Sequence, residues 1–203
     1  KTLNFGCTNF SDSLDPSSIV NSAWCVSRYG IGECLYRFDQ QMQPQPYLAD
    51  SVKSNDYNTE WTFHIRDGVK FSKGNDLTAS AVKKYLECTF GQEESGKGTA
   101  HPSQFLKYDS IEADDEKGNL TIKTSQPYAD LSAVLSNPLF VIVYVDADTD
   151  IADQPIGTGP YAVVKKNEGT SIEMEANKEY WNGDVPYEKL NVIFIKDATS
   201  KYM

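Results

Sequence analysis

Four cysteines, at positions 7, 25, 34 and 88, and two histidines, His64 and His101, are the side chains of this 203-residue chain best suited to nucleophilic, acid–base or metal chemistry. No Cys-x-x-Cys pair occurs among them, so the common structural-zinc spacings and the thioredoxin spacing are both absent. Cys25 and Cys34 fall on or at the end of one predicted helix, too far apart along its axis to bridge. Two readings of the thiols stay open: one disulfide, such as Cys34 with Cys88, or buried reduced thiols. A hydrolase needs a nucleophile beside a base, and no Gly-x-Ser-x-Gly turn is present. His64 sits on the polar side of an alternating run with Arg66, which places it at a surface or against a hairpin. His101 precedes Pro102 in a loop and is available for binding, yet no spacing assigns it a partner.

Two further patterns imitate known sites. Asp146, Asp148 and Asp150 match the first ligands of a calcium-binding loop, but Ile151 replaces the required glycine and Gly157 the closing glutamate. Gly157-Thr158-Gly159-Pro160 suggests a phosphate loop, but no Gly-Lys-Ser/Thr follows, and the segment leads into a strand. Its glycines read as flexibility before that strand. The residues therefore supply no catalytic group, no metal site and no cofactor site, and the chain reads as a non-enzyme.

The elements that would position these groups follow from periodicity. Residues 2–7 read as a strand, and 17–36 carry helical spacing weakened by Gly30 and Gly32. Trp61, Phe63 and Ile65 alternate with Thr62, His64 and Arg66, a half-buried strand. A turn at Asp67-Gly68, an extended Val69-Lys70-Phe71 and a turn at 72–75 follow, and Asp76 or Thr78 caps a helix to about Phe90. Residues 91–99 read as a loop. Hairpins are predicted at 110–113/119–123 and 161–164/171–174, a short helix at 128–136, strands at 139–145 and 190–195, and a helix start at 198–200. The fold class is α/β with mixed sheets.

A net charge of -10 excludes a nucleic-acid partner, since no basic stripe can neutralise phosphates. Lys83-Lys84 and Lys165-Lys166 read as solvated pairs. The longest apolar run, 139–145, is far short of the ~20 residues of a membrane helix.

Against this background one long stretch is specific. Leu48-Ala49-Asp50-Ser51, Trp61-Thr62-Phe63, Ile65-Arg66-Asp67-Gly68-Val69-Lys70-Phe71, Gly74 and Leu77-Thr78-Ala79 resemble the signature region of family 5 extracellular solute-binding proteins of bacterial ABC importers. In order around it stand Leu14-Asp15-Pro16, Gly32-Glu33-Cys34-Leu35, Pro155 to Tyr161 and Asn177-Lys178-Glu179-Tyr180-Trp181. Ser80 and Ala81 depart from the acidic residue and Asp that usually follow Leu-Thr-Ala in that family.

The resemblance implies a type II periplasmic-binding-protein fold. Residues 1–42 and 155–203 would form parts of the first lobe, residues 43–154 its accessory subdomain, and most of the second lobe would lie outside this chain. It implies a monomer outside the cytoplasmic membrane, either periplasmic or lipid-anchored, that hands a peptide, nickel chelate or other small solute to permease subunits. A sensing or interaction module of the same fold is the alternative. Trp24, Cys25, Arg28 and Tyr29 are the candidate ligand residues near the first helix, with His101, Ser103 and Asn137 beyond it. Trp24 or Tyr29 would stack on a ligand and Arg28 would receive a carboxylate; helix packing and a surface ion pair are the plainer roles for the same residues. Asn137 stands where some nickel-type members place an arginine that grips a chelator, which argues against direct nickel-chelate binding.

Overall fold

The computed structural model describes residues 1–8 and 10–196. The main elements are β1 (Thr2–Cys7), α1 (Val20–Arg28), β2 (Tyr36–Phe38), β3 (Pro44–Pro46), β4 (Ala49–Ser54), β5 (Glu60–Ile65), α2 (Ala79–Glu94), β6 (Tyr108–Asp114), β7 (Asn119–Thr124), α3 (Leu131–Val134), β8 (Tyr161–Asn167), β9 (Ser171–Ala176) and β10 (Lys189–Phe194). Single 3-10 turns stand at Pro102–Gln104 and Pro138–Phe140. Among the described residues one sheet has the order β1-β10-β9-β8, a second β4-β5-β7-β6, and a ribbon pairs β2 with β3. The β1–β10 pair is parallel and joins the two ends of the chain, whereas the other pairings are antiparallel.

Local chemistry accounts for most of these elements. In β5, Trp61, Phe63 and Ile65 are buried while Thr62 and His64 are half-exposed, so the alternation sets which face meets the core. Gly68 takes φ 75°, the left-handed turn conformation that a glycine adopts without penalty. Thr78, and not Asp76, caps α2: its hydroxyl accepts the Ala81 amide at 3.1 Å. Asp76 instead pairs with Lys70 at 3.5 Å. Along α2, Ala79, Val82, Tyr85, Leu86, Thr89 and Phe90 form the buried stripe. Both predicted hairpins are present, as β6–β7 and β8–β9.

Several expectations are corrected. α2 does not stop near Phe90; it runs through Gly91 to Glu94 and ends at Gly96, whose φ of 71° supplies the left-handed stop. The helix predicted over 17–36 is confined to Val20–Arg28, because Gly30 turns left-handed at φ 72° and 31–36 are extended into the core. Cys25 and Cys34 therefore do not share a helix.

The strand expected at 139–145 is instead a 3-10 turn followed by an extended run with one bridge, Ile142 to Glu33. Leu139 through Val143 are buried from every side, which produces the same apolar run as a paired strand. Lys166 is not solvated: its side chain is 6% exposed, and its amine reaches Asp153 at 2.5 Å as well as the carbonyl of Asp12. The helix start expected at 198–200 lies outside the described residues.

One continuous apolar core joins the two sheets. Among the described residues no helix is long and apolar enough to cross a membrane.

Candidate functional site

The last turn of α1 borders two hollows. Asp15 prepares the helix: its carboxylate accepts the Ser17 amide at 2.9 Å and the Ser17 hydroxyl at 2.7 Å, while Leu14 is fully buried beside it. Trp24 and Arg28, four residues apart, share the exposed face, with the guanidinium 5.9 Å from the indole centroid. Cys25 and Tyr29, also four apart, lie on the buried face, where the Cys25 thiol donates to the Tyr29 hydroxyl at 3.6 Å. Cys7, at the end of β1, brings a second sulfur to 3.4 Å from the same hydroxyl. Together with Phe5 these side chains line a cavity of about 40 Å³. Burial pushes the Cys25 thiol upward, offset in part by Tyr29 and Arg28, and burial with the two sulfurs pushes the Tyr29 phenol upward.

The larger hollow, about 270 Å³, lies on the other side of that turn and is lined by Ser27, Tyr36, Arg37, Phe38, Tyr47 and Tyr180, among others. Its floor is built on Glu33, which is 6% exposed. One carboxylate oxygen accepts the Tyr47 hydroxyl at 2.6 Å and the Tyr180 hydroxyl at 3.4 Å; the other accepts the Thr158 hydroxyl at 2.8 Å and the Trp181 indole N–H at 2.9 Å. All four donors are neutral. Burial accordingly raises the carboxyl above its usual range, and these four hydrogen bonds offset part of that rise. Two guanidinium groups stack on the aromatic walls instead of pairing with the acid: Arg37 lies 4.4 Å from the Tyr47 centroid and Arg66 4.9 Å from that of Trp181. Arg66 also donates to the Tyr47 carbonyl at 2.8 Å.

The glycines of Gly157-Thr158-Gly159 serve this floor by close approach rather than by flexibility. A β-carbon on Gly157 would stand 1.8 Å from the Ile31 carbonyl oxygen, and one on Gly159 would stand 2.3 Å from that of Gly30. Gly159 donates to the Ile31 carbonyl at 3.0 Å and Tyr161 to that of Gly30 at 2.9 Å. Asn177 locks the loop by donating its amide to the Gly159 carbonyl at 2.8 Å. The Asn-x-x-Tyr-Trp segment thus fixes the glycine loop with its first residue and the buried acid with its last two.

The structure brings Trp24, Cys25, Arg28 and Tyr29 together and leaves the remaining candidates elsewhere. His101, at φ 51°, places its ring nitrogen 3.2 Å from Glu93, and the Ser103 hydroxyl and amide also go to Glu93, at 2.7 and 3.0 Å. The serine donates to the acid and not to the imidazole, so this trio is a loop clamp without the geometry of an activated nucleophile. These contacts hold the Glu93 carboxyl below its usual range despite its partial desolvation. Asn137 uses its side-chain oxygen to accept the Leu139 amide at 3.0 Å and its carbonyl to accept the Cys34 thiol at 3.5 Å. Its neighbour Ser136 lines the larger hollow in its place. No disulfide links the four cysteines, and burial together with Glu33 pushes the Cys34 thiol up to about 12. His64 packs on the hairpin surface, 2.8 Å from Asp50. Phe5, Arg37 and Tyr47 were not singled out as site residues by sequence reasoning, and Cys7 only as one of four cysteines, since strand ends and the residues around the β2–β3 ribbon carry no local spacing signal.

Residues 43–203 match the profile of "Bacterial extracellular solute-binding proteins, family 5 Middle". The nickel-binding protein NikA of Staphylococcus aureus is 30% identical over 175 residues, which cover 86% of this chain and 34% of that protein. The glutathione-binding protein GsiB of Salmonella typhimurium is 26% identical over 200 residues, 95% of this chain and 37% of that one. Among solved structures, the nickel ABC transporter protein of Bacillus halodurans superposes with a TM-score of 0.87 at 30% identity, covering all of this chain and 40% of its own. The chain thus spans between about a third and two-fifths of the length of these relatives. Its mixed α/β sheets are those of a type II periplasmic binding protein. The chain belongs to the bacterial extracellular solute-binding proteins of family 5.

Proposed function

We propose that this chain forms one wall of a solute-binding cleft that captures a small peptide-like or chelate solute outside the cytoplasmic membrane and presents it to the permease of an ABC importer. The observation that carries this reading is the open, aromatic-lined 270 Å³ hollow, bordered by α1 at Ser27, on a helix that also exposes Trp24 and Arg28. Ligand sites of drug size occupy roughly 300–1,000 Å³ and bury most of their ligand. A hollow of this size and openness offers half of such a site, and closure by a second lobe supplies the other half. Relatives named for nickel and glutathione binding support the solute class. Asn137, already committed to its own turn, favours a solute recognised by Arg28, Arg37 and ring faces over a chelate gripped at that position. No step here requires covalent chemistry, in keeping with a family of transport proteins.

In this reading residues 43–154 are the accessory subdomain and the outer segments belong to the first lobe. The protein acts as a monomer, either lipid-anchored or periplasmic. The test is calorimetry of the protein with glutathione, a dipeptide set and Ni(II)–histidine. One solute class should bind at 1:1, and Trp24→Ala and Arg28→Ala should each weaken it by about ten-fold or more, a ΔΔG of about 1.4 kcal/mol. Unchanged affinity in both variants would move the cleft away from α1.

A further inference from the structure

We propose that Cys7 and Cys25 form a two-thiolate site for a single soft d10 monovalent cation, Cu(I) or its surrogate Ag(I), in the small cavity behind α1. The two sulfurs share the Tyr29 hydroxyl, at 3.4 and 3.6 Å, so they stand at most about 7 Å apart. They come from different elements, one from the end of β1, fixed by its pairing with β10, and one from the middle of α1. Helix and strand therefore bring the two sulfurs to one place in the folded chain.

Size and donor count select the ligand. The cavity of about 40 Å³ is close to the ~30 Å³ share of one water molecule, so it takes an ion and not the solute of the larger hollow. Among the described residues no three His, Cys, Asp or Glu side chains converge to hold a metal. Four-coordinate zinc and the tetragonal or octahedral divalent ions thus lack ligands here. Soft thiolates bind Cu(I) strongly, and a d10 monovalent ion accepts two of them.

The surroundings suit the anionic product. The exchange is M⁺ + 2 Cys–SH → [M(S–Cys)₂]⁻ + 2 H⁺, with both protons passing to solvent and no change of oxidation state. Arg28 lines the same cavity and its charge favours the Cys25 thiolate. The Tyr29 hydroxyl is placed to donate to a thiolate once the thiol proton leaves. Trp24 and Arg28 line this cavity too, so the ion site and the solute wall proposed above meet at α1 and differ in the chemistry of what they take.

The experiment is an anaerobic titration of the protein with Cu(I) buffered by bicinchoninate, repeated with Ag(I). One ion should bind per chain with release of two protons. Bound Ag(I) should shield the half-buried Cys7 from iodoacetamide, read by mass spectrometry, while Cys88 reacts unchanged. Cys7→Ser and Cys25→Ser should each cost more than about 100-fold in affinity, Arg28→Gln about 10-fold, and Cys34→Ser nothing. The half-buried Cys7 variant and the shielding of the unmodified protein decide the outcome even where Cys25→Ser fails to fold. The proposal is overturned by absence of binding to folded protein, by wild-type affinity in Cys7→Ser, or by shielding of other cysteines. Trp24→Ala keeps the two readings separable: weakened solute binding with retained Cu(I) binding supports both, and solute binding to the unmodified protein with no Cu(I) bound overturns this one alone.

Discussion

Glu33 is a buried acid held by four neutral donors, and its titration has a definite sign. Burial raises its folded value above the ordinary 4.5. From pH 4.5 upward to that raised value, folded Glu33 keeps a proton that the unfolded chain has lost. Stability contributed by this residue therefore falls as pH rises through that window and is constant above it. Glutamine at this position abolishes the effect. Its oxygen can still accept from Trp181, which only donates, and its amide can turn toward Tyr47 and Tyr180, whose hydroxyls can accept. Glu33→Gln should accordingly cost only about 1 kcal/mol at pH 7, whereas Glu33→Ala strands all four donors and should cost about 3 kcal/mol. Urea denaturation from pH 4 to 8 checks this. The stability difference, wild type minus the glutamine variant, should decline with rising pH, and a flat or rising difference would refute the assignment. This network was not legible in the sequence: Tyr47 and Trp181 lie 14 and 148 positions from Glu33, and no local period links them.

At the scale of elements, two glycines make opposite predictions. Gly91 lies inside α2 with no atom within 4 Å of the place a β-carbon would occupy. Gly91→Ala should stabilise the protein by about 0.5–1 kcal/mol, because alanine loses less backbone entropy in a helix. A lower thermal midpoint in this variant would mean that α2 is kinked or in contact at that turn. Gly157 faces the Ile31 carbonyl at a distance no β-carbon tolerates. Gly157→Ala should destabilise by about 3 kcal/mol, by forcing apart two backbones that share hydrogen bonds. Thermal unfolding of the two variants side by side reads both signs. The same glycines show what a sequence discloses. α2 and the two hairpins were legible, since their periods and turns are local. The end of α2 was misplaced because Gly91 and Gly96 look alike until φ separates them. Burial on all sides gave 139–143 the composition of a strand without an edge to pair with. In the candidate site, the α1 residues were proposed from the family resemblance, whereas Phe5 and Cys7 reach it only through the parallel β1–β10 pairing.

For the whole molecule the question is whether the two four-stranded sheets fold as one body. Glu33 ties Tyr47, which precedes β4, to Thr158 before β8 and to Tyr180 and Trp181 before β10. It does not act alone. Ser72 donates to the Gly157 carbonyl at 2.9 Å and Tyr144 to that of Ile156 at 2.7 Å, and Leu139 through Val143 are buried within one continuous core. Opening one sheet while the other stays folded would expose that shared apolar surface, at about 25 cal/mol for each Å². Intermediates with one sheet open are therefore costly, and unfolding should be a single transition. Urea titration checks it with two probes. Tryptophan fluorescence reports Trp24 on α1, Trp61 in β5 and Trp181 beside Glu33, while far-UV circular dichroism reports both sheets and the helices. The curves should coincide in the wild type and also in Glu33→Ala, where the midpoint falls but the shared core keeps the transition whole. Non-coincident curves in the wild type would show that the sheets open separately. Non-coincidence confined to Glu33→Ala would show that the buried acid, rather than the core, holds the two sheets together.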